Sequence, residues 1–335
     1  MVEALPVQLA FELSAHEGPV RAVRFNRIGR YCLTSGSDKT VRLWNPHRGL
    51  LIKTYGGHGD EVLDADASHD NSRLCSGGAD KTVQLTDVGT GQPIRKYRGH
   101  ISRVNSVKFN DDSTVIVSGS YDSSVRAWDC RSRSYDPIQV LGDAKDSVTS
   151  VQLAPSEILT GSVDGSVRRY DLRFGKLHCD TIANPVTCVS FSRDGNCILA
   201  SCLDNTLRLM DKDTGEMLNS YKGHKNQDYK LDSCLSHDDA HVVSGSEDGT
   251  VCFWDLVEGN LLHSFPHVPP HKSASRGQTT EGDGGGSSRC VVYSLAHHPK
   301  ESCLLTAASH GPVRVWKKVG WETEEEEEEK DEETT

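Results

Sequence analysis

Long apolar runs are missing from this 335-residue sequence: no window of about 18 residues is apolar enough to cross a bilayer. The opening stretch MVEALPVQLAFELSAH has neither a basic start nor a long apolar centre, so no secretory signal is expected there. The 11 cysteines are odd in number and show no C-x-x-C pair. That argues against a zinc site and for reduced, buried thiols, several in strand-like runs (Cys32, Cys75, Cys197, Cys303), as expected in nucleus and cytoplasm. Surplus positive charge is also lacking. The formal net charge is −11, and the stretch Glu322–Glu333 supplies ten acids against one lysine, leaving the rest near −2. A basic nucleic-acid groove gains no support from this balance.

Helical periodicity is scarce, and a different period takes its place. The stretch GSDKTVRLWNP (36–46) runs from a turn into alternating residues that end on Trp44. Equivalent stretches end at Thr86, Trp128, Tyr170, Met210, Trp254 and Trp316, with steps of 42, 42, 42, 40, 44 and 62 residues. A period of about 40–45 residues marks a four-strand propeller blade. Within each period, runs such as VRAVRF, VNSVKF and VTCVSF begin a blade, and Asp-, Asn- or Gly-bearing turns separate the strands. The expected fold is all-β, a seven-bladed propeller over residues 1–319. An open ring would leave an exposed sheet edge. The unmatched run VQLAFEL (7–13) is therefore expected to complete the last blade, which otherwise stops one strand short. Segment 264–289, rich in Pro, Gly and Ser, reads as a flexible loop inserted between blades six and seven, and 320–335 reads as a disordered acidic tail.

The Gly-His pairs before several first strands, with an Asp in the turn between second and third strands, resemble those of WD-repeat propellers. The resemblance covers nearly the whole body and implies a buried hydrogen-bonded network of His, Ser or Thr, Asp and Trp. The matching sets are His16, Thr34, Asp38, Trp44; His100, Ser118, Asp122, Trp128; and His224, Ser244, Asp248, Trp254. Other blades depart from the pattern, with Thr86, Tyr170 and Met210 at the Trp position and His310 at the turn Asp.

A His–Ser–Asp set invites a hydrolase reading, but three copies at blade spacing fit scaffolding, and a hydrolase needs one exposed nucleophile with an oxyanion hole. No enzyme, cofactor or metal site is expected. His263, His267 and His271 have helical spacing, yet Pro266, Pro269 and Pro270 break any helix there. The basic run RRYDLRFGK (168–176) reads as a solvated blade edge.

The expected function is protein docking, with no small-molecule substrate and no membrane, by a propeller that is itself monomeric within larger assemblies. First-strand entries and second-to-third turns converge on one rim. Its candidate contact residues are Arg21, Glu61, Arg103, Asn105, Tyr121, Asp228, Lys230 and Glu247, with Arg103 and Tyr121 favoured because Arg and Tyr are enriched in hot spots. Longer stretches (161–173, 211–236 and 242–259) resemble the mitogen-activated protein kinase organiser branch of the WD-repeat family. That resemblance implies two roles: scaffolding MAP kinase cascade members, and accessory work among spliceosomal components in pre-mRNA splicing, with RNA met only indirectly through the complex. A rival reading starts from WDCR (128–131) and YDLR (170–173), which resemble the W/Y-D-x-R pattern of cullin-RING ubiquitin ligase substrate receptors. It would put Arg131 and Arg173 against a ligase adaptor.

Overall fold

A computed structural model describes residues 5–268 and 290–319, and these contain strands and turns but no helix. Seven four-stranded antiparallel sheets form seven blades. Blade one comprises Val20–Phe25, Cys32–Gly36, Val41–Asn45 and Leu50–Tyr55. Blades two to six repeat this order across 62–98, 104–141, 148–181, 186–222 and 233–266. Blade seven takes its first three strands from Val292–His297, Cys303–Ala308 and Val313–Lys317, and its outer strand is Gln8–Leu13.

The expected closure by the N-terminal strand is what the fold shows. Gln8 faces Lys317, Glu12 faces Arg314 and Leu13 faces Val313. Leu13 is buried with Val20, Trp44, Leu305 and Val315, so the closing strand joins the core shared by blades seven and one. The Glu12 carboxylate accepts from Arg314 Nε at 2.8 Å.

First strands line the axis, each packed against the next, and blade seven's lies against blade one's. In six blades a register shift interrupts the first strand one residue after its start, for example between Val104 and Ser106. Such bulges sharpen local bend and twist. Blades also meet closely. A Cβ on Gly119 would stand 2.7 Å from methyls of Val148 and Val151 on the next blade's first strand. That contact explains the small residue before the second-to-third turn.

One boundary is corrected. Residues 264–266 do not begin a loop: the outer strand of blade six is Leu261–Pro266, and His267 beyond it is fully buried. The remaining part of the expected loop, 269–289, and the expected tail, 320–335, lie outside the described residues.

Burying Leu13 alone contributes about 1.5–3 kcal/mol. Deleting residues 1–13 should lower the melting temperature by at least about 5 °C; an unchanged melting curve would refute closure by this strand.

Candidate functional site

The recurring polar residues form relays inside the blades. In blade one, Trp44 Nε1 donates to Thr34 Oγ1 at 3.0 Å, and that hydroxyl lies 2.8 Å from His16 Nε2. His16 Nδ1 sits 2.8 Å from Asp38 Oδ1. Blade three repeats the order through Trp128, Ser118, His100 and Asp122 at 2.8, 2.8 and 2.9 Å. The Asp holds the His proton on Nδ1, which leaves Nε2 to accept from the hydroxyl. Burial lowers the pKa of His16 and His100 and outweighs the opposing pull of their Asp partners, so both rings stay neutral. Burial alone would raise the Asp122 carboxyl, but Ser124, Ile101 N–H and His100 hold it down at about 2. These contacts engage the hydroxyl and both ring nitrogens of each relay.

Blade two carries the relay without Trp: His58 Nδ1 reaches Asp80 at 3.0 Å and Nε2 meets Ser76 Oγ at 2.8 Å. Thr86, at the Trp position, accepts from Gln84 Nε2 at 3.1 Å. The Gly57-His58 pair is visible in the sequence, but Thr86 in place of the ring masks the set. Blades four and five lack the His, and Arg takes its place on the carboxylate. Arg168 bonds Asp164 at 2.7 and 3.1 Å, and Arg208 bonds Asp204 at 2.5 and 3.1 Å. Arg168 and Arg169 are therefore buried and paired, Arg169 with Glu157 at 2.7 Å, so the solvated-edge reading fails for them.

The set assigned to blade six does not assemble. His224 is buried, yet neither ring nitrogen bonds Ser244 or Asp248. Trp254 Nε1 donates instead to Lys222 O at 2.9 Å, and Asp248 accepts from Thr250. The cause is spacing: His224 and Ser244 stand 20 residues apart, against 18 for His16–Thr34 and His100–Ser118. Blade seven holds a relay that sequence reasoning missed. Trp316 Nε1 donates to Thr306 Oγ1 at 2.7 Å, and Thr306 lies 2.9 Å from His267 Nδ1. The ten-residue step from Thr306 to Trp316, shared with Thr34–Trp44, was the available signal. The insertion hid it by falling between His267 and the first strand.

Above this network lies the rim. Arg103 stacks on Tyr121 at 4.8 Å, and Tyr121 is 51 % exposed. Arg21 packs over Tyr293 at 5.2 Å and bonds Glu61 at 3.0 Å, while Tyr293 meets Tyr229 edge-on at 5.8 Å. Asp228 is exposed beside Tyr229. Three expected contact residues are turned inward instead. Glu247 is 4 % exposed, and its carboxylate accepts from the backbone N–H of Gln227, Asp228 and Tyr229 at 2.6, 2.6 and 3.1 Å. Asn105 is buried and donates to Ser147 and Val148 O. Lys230 crosses from the entry of blade six to donate to Asn105 O at 3.0 Å.

The family profile described as "WD domain, G-beta repeat" matches residues 7–45, 49–87, 91–129, 176–211 and 215–255. The chain belongs to the WD-repeat family. Each matched segment of this WD-repeat chain ends with a third strand and opens near the outer strand of the blade before it. Repeat and blade are thus offset by one strand, which leaves Gln8–Leu13 for the last blade. Blade four, with Arg in place of His, is largely unmatched. The chain is 61% identical over 320 residues to rat "WD repeat domain-containing protein 83", covering 96% of this chain and 95% of the relative. The human protein of that name is 60% identical, with the same coverage. A fission yeast protein, "Uncharacterized WD repeat-containing protein C713.05", is 47% identical over 89% of this chain and 94% of its own. WD-repeat propellers are generally non-enzymatic interaction scaffolds, and the coarse function follows: this is a platform for proteins.

Along the axis, Arg24 bridges Asp64 at 3.0 Å and Asp232 at 2.8 Å, and Ser294 Oγ donates to Asp232 at 2.6 Å. Burial opposes the Arg24 charge, but the two carboxylates raise its pKa. These pairs tie blades one, two, six and seven together beside a cavity of about 370 Å³. Arg131 and Arg173 project from third-to-fourth turns at the outer ends of blades three and four; the Arg131 side chain is 72% exposed, 3.7 Å from Asp129.

Asp122→Ala should cost roughly 1–3 kcal/mol by orphaning His100 and Ser124, whereas Asp248→Ala, which removes no hydrogen bond from His224, should cost clearly less in denaturant titration. Equal costs would contradict the difference between blades. Burial lowers the His224 pKa from 6.5 to about 4. The unfolded chain binds more protons between those values, so stability is full above about pH 6.5 and declines as pH falls toward 4. His224→Gln should flatten that decline; an unchanged slope would contradict it.

Proposed function

We propose that this chain is a non-catalytic scaffold of nucleus and cytoplasm, acting foremost as an accessory component of the spliceosome in pre-mRNA splicing. The same body would also serve as a scaffold of a MAP kinase cascade. The observation that carries the docking reading is the exposed Arg103–Tyr121 stack on the rim. The stack holds the guanidinium with its N–H edges free for a partner's carboxylates or carbonyls, at little entropic cost on binding. The choice of splicing rests on the likeness of 161–173, 211–236 and 242–259 to the mitogen-activated protein kinase organiser branch. A near-balanced body charge favours contact with proteins first and RNA through the complex. The ubiquitin-ligase reading keeps one specific support, the exposure of Arg131 and Arg173 on neighbouring turns.

Affinity purification of the tagged chain from eukaryotic cells separates these roles. Spliceosomal proteins with small nuclear RNAs should be recovered, with kinase-cascade members as a second set. Arg103→Ala with Tyr121→Ala should cut recovery at least tenfold at unchanged melting temperature. Recovery of a ligase adaptor alone, lost on Arg131→Ala with Arg173→Ala, would overturn the splicing reading.

A further inference from the structure

A second surface lies away from the rim, on the side of the ring. The fifth residue after the Val that opens each first strand (in blade six, which opens later, the last residue, Leu235) faces the second strand of its own blade and the flank of the preceding blade. Six blades place a large side chain there: Phe25, Phe109, Leu153, Phe191, Leu235 and His297. Blade two places Ala67, opposite Leu74. The missing volume is not refilled. A cavity of about 240 Å³ opens between blades one and two, walled by Ala67, Leu74 and Val88 on one side and by Leu33, Leu43 and Ile52 on the other. Ile52 forms an exposed lip. The polar side chains at its floor already serve each other, Asn26 Nδ2 donating to Asn71 Oδ1 at 2.9 Å. An apolar space of this kind gives water few partners and accepts apolar groups.

The ring itself shows which group fits, since its sister positions are filled mostly by Phe or Leu. A lysine at the groove's edge and an arginine next to its lining bring positive charge, alongside the Asp87 carboxylate that Lys53 also attracts. Lys53 Nζ donates to Val88 O at 3.0 Å, and exposed Arg30 adjoins the lining Tyr31. Neither cation makes an ion pair among the described residues. We propose that this groove is a docking pocket for a partner protein segment that inserts a phenylalanine or leucine side chain and sets a carboxylate beside it.

The test uses the full chain and the probe peptide acetyl-Gly-Phe-Glu-Gly-amide, read by saturation-transfer NMR. Transfer to the phenyl ring should be strong, absent for the Ala-Glu version, and at least tenfold weaker in affinity for the Phe-Lys version. Ala67→Phe should abolish transfer while the melting temperature holds or rises, because six sister blades tolerate a large residue there. Ile52→Lys at the lip should also abolish it, and decides the matter if Ala67→Phe fails to fold. Transfer that survives in a folded variant, or none to the unaltered chain at millimolar probe, overturns the proposal. So does transfer that appears only after truncation beyond Val319, since the chain's own C-terminal segment would then be the occupant.

Discussion

Pairing between the first strand and the last strand is the constraint on which the molecule depends. A propeller blade buries its faces only against its neighbours, so a gap between any two would expose two apolar flanks at once. Here the gap is closed by antiparallel pairing of Gln8–Leu13 with Val313–Lys317, reinforced by Glu12 on Arg314 and by Leu13 in the shared core. Once closed, the ring fixes the radial position of every first strand. It can then hold an Arg24–Asp64–Asp232 cluster and the Lys230–Asn105 strut around its axis. Buried charge of this kind is tolerable only where partners are already positioned.

The blades solve one local problem in several ways. Each turn between second and third strands carries a carboxylate or a substitute that must be satisfied. Blades one to three use His, blades four and five use the Arg four residues later, and blade seven lacks the acid and keeps only the His267–Thr306–Trp316 portion. Because these groups are spent inside the fold, function falls to what remains at the surface. On the rim that is chiefly Arg103, Tyr121, Tyr229 and the Arg21–Glu61 pair. On the side it is the groove left by Ala67.

Much of this architecture was legible from spacing alone. The recurring steps of 40–44 residues between blade anchors and the spare strand at 7–13 led directly to seven blades and their closure. Hydrogen-bond partners were less legible, because they depend on loop length at the residue level. Two extra residues after His224 suffice to pull its ring away from Ser244. An insertion of unlike composition hid that His267 belongs to blade seven. Burial of polar residues was the least legible: Glu247 looks like any rim acid until three backbone N–H groups are seen to converge on it. The side groove is a further case, since Ala67 is unremarkable until it is set against Phe25 and Phe109 at the same ring position.

Closure by the N-terminal strand is tested most directly by amide hydrogen exchange on the intact chain. Local stability reports which backbone bonds open only with the whole fold. The account predicts that Val313–Lys317 and Gln8–Leu13 exchange together, with protection close to that of Val125–Asp129 inside blade three. Rapid exchange of Gln8–Leu13 alongside a protected blade three would show that the ring is held shut by something else.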